Sequence, residues 1–471
     1  MHRIQLGGVL VAAMSFSVSA LAVDGAYGSF KAQVDVSAGS DFGTTLLLQA
    51  DGKLLMAGSC TDSKGGGFCA TRLLANGSYD ATFGSAGLGY LSFDEFPGFP
   101  ASNSLTASAL TADGGSIHVG YIFSGPASKG LIVKLTSTGA LDTSVAGGQG
   151  WLIFQFSNVP ITPASFVNAV AVQADGKIVV LGSATRNDAG NSDFGVARFG
   201  ADLAPDASFG NGGFKLVAFD LDGPSGTGYD FGYALAMQTD GKIVVAGKAS
   251  FAGVGGDRAA VARLTANGQL DNDPVTGFGL AGRANFDWGS NSSVQAIKVN
   301  RDGSILLAGS TTRATLPTAS NDFALSRISS GGTVDATFAT ACPLAPCQAG
   351  VAFVNFGYSG KSSDFANAIA LQADGKILLV GSARRSDTNG SSYFATTRLG
   401  RDGNIDLTYG FGGISGGTFA AGSGIDDSAS AIVIGNRGIM IAGYSAEATG
   451  TNYRFGIAQL QLDLIFSDPF E

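Results

Sequence analysis

Histidine is nearly missing from this sequence: His2 and His118 are the only two. A histidine-based zinc site is therefore excluded in practice, and a Ser-His-Asp triad would rest on His118 alone. That residue lies in the strand-like run Ser116-Ile117-His118-Val119 and reads as a half-exposed strand position. Charge is also scarce, at 14% of residues, with 28 basic against 37 acidic side chains and a net charge of -9. No Lys/Arg cluster occurs, so neither nucleic acid nor an anionic membrane surface is an expected partner. The four cysteines lack the Cys-x-x-Cys spacing of zinc sites. Beyond the first 22 residues, every apolar run is interrupted within about ten residues by Gly, Asp or Asn, too soon for a membrane-spanning helix of about 20 residues.

The N-terminus carries the one exception. Met1-His2-Arg3 leads into an apolar stretch from Ile4 to Val18 and then into Ala20-Leu21-Ala22, a small-x-small cleavage pattern. Residues 1–22 are expected to be a signal peptide; the alternative, a membrane anchor, is disfavoured by the short run and by Gly7 and Gly8 within it. The expectation is export through the inner membrane, to a periplasmic, cell-surface or secreted location. An oxidising compartment makes the cysteines readable as two local disulfides. Cys60 and Cys69 flank the loop TDSKGGGF, and Cys342 and Cys347 enclose PLAP; other connectivities stay open.

What is abundant is glycine, with 71 copies, and phenylalanine, with 32. Such a mixture suits many short strands joined by tight turns. Self-comparison returns one motif seven times: QADGKLLMAGS at Gln49, TADGGSIHVGY at Thr111, QADGKIVVLGS at Gln173, QTDGKIVVAGK at Gln238, NRDGSILLAGS at Asn300, QADGKILLVGS at Gln372 and IGNRGIMIAGY at Ile434. The turn residues are Asp51, Asp113, Asp175, Asp240, Asp302 and Asp374, with Asn436 in the degenerate seventh copy, at intervals of 62, 62, 65, 62, 72 and 62 residues. Asp-Gly between apolar runs predicts a two-residue type I′ hairpin with positive φ at both positions.

A second block follows each hairpin, as in FCATRLLANGSYDATFG and FGVARFGADLAPDASFG: a third strand with a basic residue, a turn, then Asp-x-x-Phe-Gly and a fourth apolar run. Four antiparallel strands in about 60 residues, repeated seven times, fit the blades of a β-propeller. The fold expected is all-β, a seven-bladed propeller over residues 23–463 with a tail at 464–471. The chain ends complement one another: Asp24, Tyr27 and Gly28 echo Asp-x-x-Phe-Gly, and Ser29 to Val36 supply a fourth strand that the seventh repeat lacks. The last blade should therefore be closed by the N-terminal strand, although a linear solenoid is the alternative.

The copies at Gln173 and Gln372 resemble, nearly throughout, the hallmark block of the bacterial delta-60 repeat proteins: Gln-x-Asp-Gly-Lys, Ile-Val-Val-x-Gly, Phe-x-x-x-Arg-Leu, Gly-x-x-Asp-x-x-Phe-Gly. The resemblance covers almost the whole chain after residue 22 and implies a β-propeller of undefined function. Copies two and seven depart most, with Lys134 and Gln459 at the Arg position and Val145 at the Phe position, and should pack less typically. The final residues, Leu464 to Glu471, resemble a short ending found on exported Gram-negative proteins, which implies a sorting mark; a frayed tail is the alternative.

Arg72, Lys134, Arg198, Arg263, Arg327 and Arg398 each stand eight residues before an aspartate: Asp80, Asp142, Asp206, Asp271, Asp335 and Asp406. Recurrence in six repeats fits structural ion pairs better than six anion sites. Phe68, Phe194, Phe323, Phe394 and Phe455 recur at one strand position and read as inter-blade core. Carboxylate pairs such as Asp220 with Asp222 and Asp271 with Asp273 are the only candidates for acid-base chemistry or for calcium, the one cofactor considered. No catalytic or metal residue is assigned. The leading expectation is a monomeric, non-catalytic binding or scaffolding protein for an unknown protein or glycan. The alternative is an exported polysaccharide hydrolase or lyase using carboxylates or calcium near the central channel. Asp, Glu, Arg and Tyr converging at a channel mouth would favour the enzyme; Ser, Thr and Asn would favour binding.

Overall fold

A computed structural model describes residues 27–460, apart from 38, 63–64, 85–87, 92–102, 125–126, 157–163, 186–190, 222–227, 252–255, 314–319, 342–347, 357–362, 385–391, 420–425, 436–437 and 448–451. The strands form seven separate four-stranded antiparallel sheets. In the third blade, for example, they are Ser165–Val172, Ile178–Thr185, Ser192–Phe199 and Phe214–Val217, paired in sequence order. First strands of successive blades touch all the way round, including the seventh against the first, so they surround a central axis. The repeats thus form a closed seven-bladed propeller.

Closure follows the complementarity of the two chain ends. Asp427–Gly435, Gly438–Ala446 and Tyr453–Leu460 make three strands of the seventh blade, and Tyr27–Val34 adds the fourth. Their register runs from Tyr27 opposite Leu460 to Val34 opposite Phe455. Asp24 and the residues after 460 lie outside the described part of the chain.

The Asp-Gly turns differ from expectation. Only the glycine has positive φ, +80° at Gly52 and +82° at Gly176, and none of the six turn aspartates does. Gly52 N–H donates to the Gln49 carbonyl, and the Asp51 carboxylate accepts the Lys53 N–H at 3.1 Å. These are three-residue loops, a type I turn ending on a left-handed glycine, rather than two-residue type I′ turns. The carboxylate stabilises them by holding the amide two residues on. Asp113, Asp175, Asp240, Asp302 and Asp374 hold Gly115, Lys177, Lys242, Ser304 and Lys376 in the same way.

The glycine inside each second strand has a separate reason. Every first strand contains a one-residue bulge, seen as a register shift such as Gly43/Thr45 or Gly232/Ala234. The bulge pushes a first-strand carbonyl toward the second strand. A Cβ on Gly58, Gly120, Gly182, Gly247, Gly309, Gly381 or Gly443 would lie 1.7–1.9 Å from that oxygen. No side chain fits there, which accounts for all seven copies.

The hydrophobic core is divided among the seven blade junctions. Phe68, Phe194, Phe323, Phe394 and Phe455 are all buried in them. Where the third strand lacks this ring, the paired fourth strand supplies it: Phe194 faces Val217 and Phe323 faces Val354, but Gly130 faces Phe154 and Ala259 faces Phe286. Total volume is conserved across the pair, as close packing requires.

Candidate functional site

The turns between first and second strands share one end of the propeller with those between third and fourth strands. The predicted charged residues meet there. Arg72, Arg198, Arg263, Arg327 and Arg398 each donate from Nε to their own aspartate at 2.7–2.8 Å. Lys134 reaches Asp142 at 3.1 Å. The guanidinium Nη1 of Arg72, Arg198, Arg263 and Arg327 donates onward to a carbonyl in the next blade, at Ser137, Ala266, Ser330 and Arg401. Each of these four guanidiniums also lies 4.7–5.1 Å over a ring, that of the Asp-x-x-Phe element at Phe83, Phe209 and Phe338 and, after a longer loop, Phe278. A second cation, the Lys of Gln-x-Asp-Gly-Lys, joins the same carboxylate: Lys53 with Asp80, Lys177 with Asp206, Lys242 with Asp271 and Lys376 with Asp406, at 2.9–3.2 Å. These partners were not expected from sequence, although the recurrence of Lys beside the turn was visible.

That phenylalanine forms a latch with the following blade. Phe83, Phe209, Phe278 and Phe338 lie under Gly139, Gly268, Gly332 and Gly403, where a Cβ would approach the ring to 2.5–2.9 Å. The second blade has Val145 instead, and the facing residue of the third blade is Leu203, which takes φ +69° without being glycine. Both are buried in one cluster. The atypical second repeat is thus compensated across the junction. Val145→Phe alone should cost about 1–3 kcal/mol by overpacking against Leu203, and adding Leu203→Gly should recover most of it. Urea unfolding of the two single variants and the double checks this; strictly additive losses would contradict the latch.

The remaining sequence candidates are placed as follows. Cys60 and Cys69 form a disulfide, but both lie inside paired strands, Leu54–Asp62 and Gly65–Leu73, rather than at the ends of a long loop. Cys342 and Cys347 fall outside the described residues. His118 is buried, not half-exposed: its ring nitrogens lie 2.8 Å from Ser108 Oγ and Ser116 Oγ, and burial pushes its pKa down to about 4. Asp271 is held in the clamp, while Asp273 Oδ1 accepts the Val275 and Thr276 N–H groups at 2.9 and 2.7 Å. Asp222 is outside the described residues. Among those described, no three of His, Cys, Asp and Glu gather where a metal ion would fit.

At the opposite end, Asp41, Ser165, Asp230, Ser292, Asp364 and Asp427, at or near the start of six first strands, each receive a backbone N–H from the incoming linker. Asp41 accepts Val36 at 2.8 Å, Asp230 accepts Phe219 at 2.7 Å, Asp364 accepts Phe356 at 3.0 Å and Asp427 accepts Phe419 at 2.7 Å. Burial lifts the Asp41 carboxyl to about 6, and burial together with nearby Asp322 lifts Asp364 to about 7. The clamp carboxylates behave oppositely. Thr82 holds Asp80 below the usual range and Ser208 does so for Asp206; at Asp406 burial is outweighed by Thr408, Lys376 and Arg398.

A pH dependence with two limbs follows. Between the ordinary carboxyl value of 3.8 and about 7, native Asp364 keeps a proton that the unfolded chain has released. Its contribution is therefore lost as pH rises through that window. The clamp contribution is present above the ordinary carboxyl value and is lost as pH falls below it. The melting temperature should peak near pH 4–5, and Asp364→Asn should flatten the limb toward pH 8, a change of about 1–3 kcal/mol. A wild-type profile rising steadily from about pH 5 to 8 would contradict the assignment.

Between those aspartates and the turns, the bulge residues form a belt on the inner strands: Thr44, Thr106, Asn168, Tyr233, Gln295, Asn367 and Ser430, all half-buried and uncharged. Thr106, Asn168 and Asn367 donate to Val167, Gly232 and Ala429 carbonyls of the next blade at 2.7–2.9 Å. Aromatic rings stand above the belt at the mouth. Tyr229, Phe231 and Tyr233 follow one another along one strand at 6.3 and 6.4 Å with nearly parallel planes. Phe42 packs on Tyr444 and Tyr453, and Tyr121 on Phe123 and Phe166. Tyr229, Phe123 and Phe365 are 48%, 46% and 40% exposed, unusual for rings of this size. Most charges nearby are paired, Lys248 with Asp257, Arg258 with Asp287, and Arg454 with Asp35 and Glu447, whereas Asp426 accepts from the Ser392 and Tyr453 hydroxyls.

Five segments, residues 49–83, 173–209, 238–273, 301–338 and 372–409, match the family model described as a β-propeller domain of unknown function (DUF5122). The matches support a β-propeller repeat family and leave out the second and seventh repeats. No curated protein matches the chain. Similar solved structures include the polysaccharide lyase Uly1, 9% identical with a TM-score of 0.46 over 89% of this chain and 90% of that one. The PQQ-bound aldose sugar dehydrogenase of Streptomyces coelicolor is 14% identical with a TM-score of 0.38, covering 76% and 94%. Chaetomium thermophilum Sqt1, bound to the N-terminus of ribosomal protein L10, is 12% identical with a TM-score of 0.38, covering 91% and 100%.

Proposed function

We propose that this protein is an exported, monomeric, non-catalytic binding or scaffolding propeller whose aromatic mouth takes a glycan at the bacterial envelope or outside the cell. The observation that carries this reading is a division of labour among side chains. The recurrent carboxylates cap linkers or sit in the turn-end clamps, whereas the channel belt offers hydroxyls and amides and the mouth offers exposed rings beside charges that are mostly paired. Rings that stack on sugar C–H faces beside uncharged donors and acceptors suit a neutral saccharide. The Cys60–Cys69 disulfide is compatible with an oxidising compartment, and among the described residues no helix is long and apolar enough to cross a membrane.

The test is a glycan array probed with the protein after removal of residues 1–22, followed by titration of the best ligand. Tyr229→Ala and Phe365→Ala, both at exposed positions, should each weaken binding about tenfold or more while leaving the melting temperature within about 2 °C. Undiminished binding in both would place the ligand elsewhere. A stabilising shift with calcium that EDTA reverses would favour the calcium-dependent enzyme instead.

A further inference from the structure

The lysines separate into two groups. Lys53, Lys134, Lys177, Lys242, Lys248 and Lys376 each meet an aspartate within 4 Å. Lys129, Lys215 and Lys298 meet none among the described residues, and the first two line one groove of about 650 Å³. It lies between the outer edges of the second and third blades, away from the channel mouth. Lys129 comes from the third strand Ala127–Leu135, and Lys215 from the fourth strand Phe214–Val217 of the next blade. Gln155 and Asn211 add amide groups, and Phe154 and Phe214, 6.4 Å apart and tilted 35°, form an apolar floor.

The groove depends on a local departure from the repeat. Gly130 stands where five other third strands carry Phe and the fourth blade carries Ala259, and Phe154 takes the vacated space, within 2.7 Å of where a Cβ would be. At the preceding position the first blade has Gly67, the third Asp193, the fifth Asp322 and the sixth Tyr393, while Arg258 and Arg454 of the fourth and seventh pair with acids; Lys129 is the basic residue at this position that meets none among the described residues. Two cations that meet no acid among the described residues share one concavity, which makes it locally positive in a chain of net charge -9. An anion relieves their repulsion, the amides suit hydroxyls, and the floor suits a ring face. We propose that this groove binds an acidic oligosaccharide, with Lys129 and Lys215 on its carboxylates. The site is separate from the mouth and stands whether or not the mouth binds a glycan.

Calorimetry decides it, with tri-galacturonate and a hyaluronan tetrasaccharide as ligands and maltotriose and inorganic sulfate as controls, at low salt. At least one acidic oligosaccharide should bind, and neither control should. Lys129→Gln/Lys215→Gln should weaken binding about tenfold or more, as should raising the salt to about 0.3 M, with the melting temperature unchanged. Tyr229→Ala should leave this affinity intact, which separates the groove from the mouth. Absence of binding by both acidic ligands, an unaffected double variant, or sulfate binding as tightly as the sugars would overturn the proposal.

Discussion

Removing residues 24–36 should leave the ring open and yield an aggregating species that lacks a cooperative thermal transition. Tyr27–Val34 is the only hydrogen-bonded neighbour on its side of Tyr453–Leu460, so deletion leaves that strand with an open edge. Ala32, Val34 and Val36 are buried with Leu46, Met56, Phe455 and Ile457, and the deletion empties one of the seven junctions. Each valine removed forfeits about 1.5–3 kcal/mol of burial. Arg454, which reaches Asp35 at 3.4 Å, loses a counter-ion as well. Together these losses rival the whole stability of an ordinary domain, about 5–15 kcal/mol. Size-exclusion chromatography with light scattering reads the outcome; a truncated chain that stays monomeric and melts like the full one would contradict the role given to the closing strand.

The second large effect is expected at the clamp. Arg263→Ala removes the donor to Asp271, the bond to the Ser330 carbonyl in the next blade and the cation over Phe278 in one step. Both Arg263 and Asp271 are only 4% exposed at their side chains. Breaking a buried pair by deleting one partner strands the other charge, at about 3–5 kcal/mol. Lys242, 25% exposed, holds the same carboxylate from outside, and its removal should cost only about 0–1 kcal/mol. Urea midpoints of Arg263→Ala and Lys242→Ala distinguish the two roles. If the arginine variant lost less than about 1 kcal/mol, the clamp would be surface decoration and the anion-site reading of these residues would regain ground.

Much of this architecture was legible because a propeller repeats its solutions. The period near 62 residues, the apolar pairs around Asp-Gly and the complementary chain ends are properties of sequence order, and they specify blade number and closure. The eight-residue spacing of Arg and Asp was legible for the same reason. The turn type was not: Asp-Gly suits both a type I′ loop and a type I turn ending on glycine, and the choice depends on strand register, which the first-strand bulge shifts. The bulge itself left a trace in the glycine that recurs within all seven second strands, whose meaning needs the carbonyl opposite. His118 was misjudged because alternation within one strand does not tell which faces a neighbouring blade covers. The mouth aromatics had a signal, Phe after the capping residue in Asp41-Phe42, Ser165-Phe166, Asp230-Phe231 and Asp364-Phe365. It is hidden by the general abundance of phenylalanine, and only exposure separates these rings from core.

The account as a whole assigns the charged repeat residues to the ring and the aromatic mouth to a ligand, with no chemistry performed. The most direct test is to incubate the protein with the polysaccharide it binds best on the array and to follow chain length, reducing ends and unsaturated products over hours. The account predicts polymer returned at its original length while binding persists. Progressive shortening, abolished by replacing a carboxylate such as Asp426 near Tyr453 at the mouth, would show that the propeller is an enzyme.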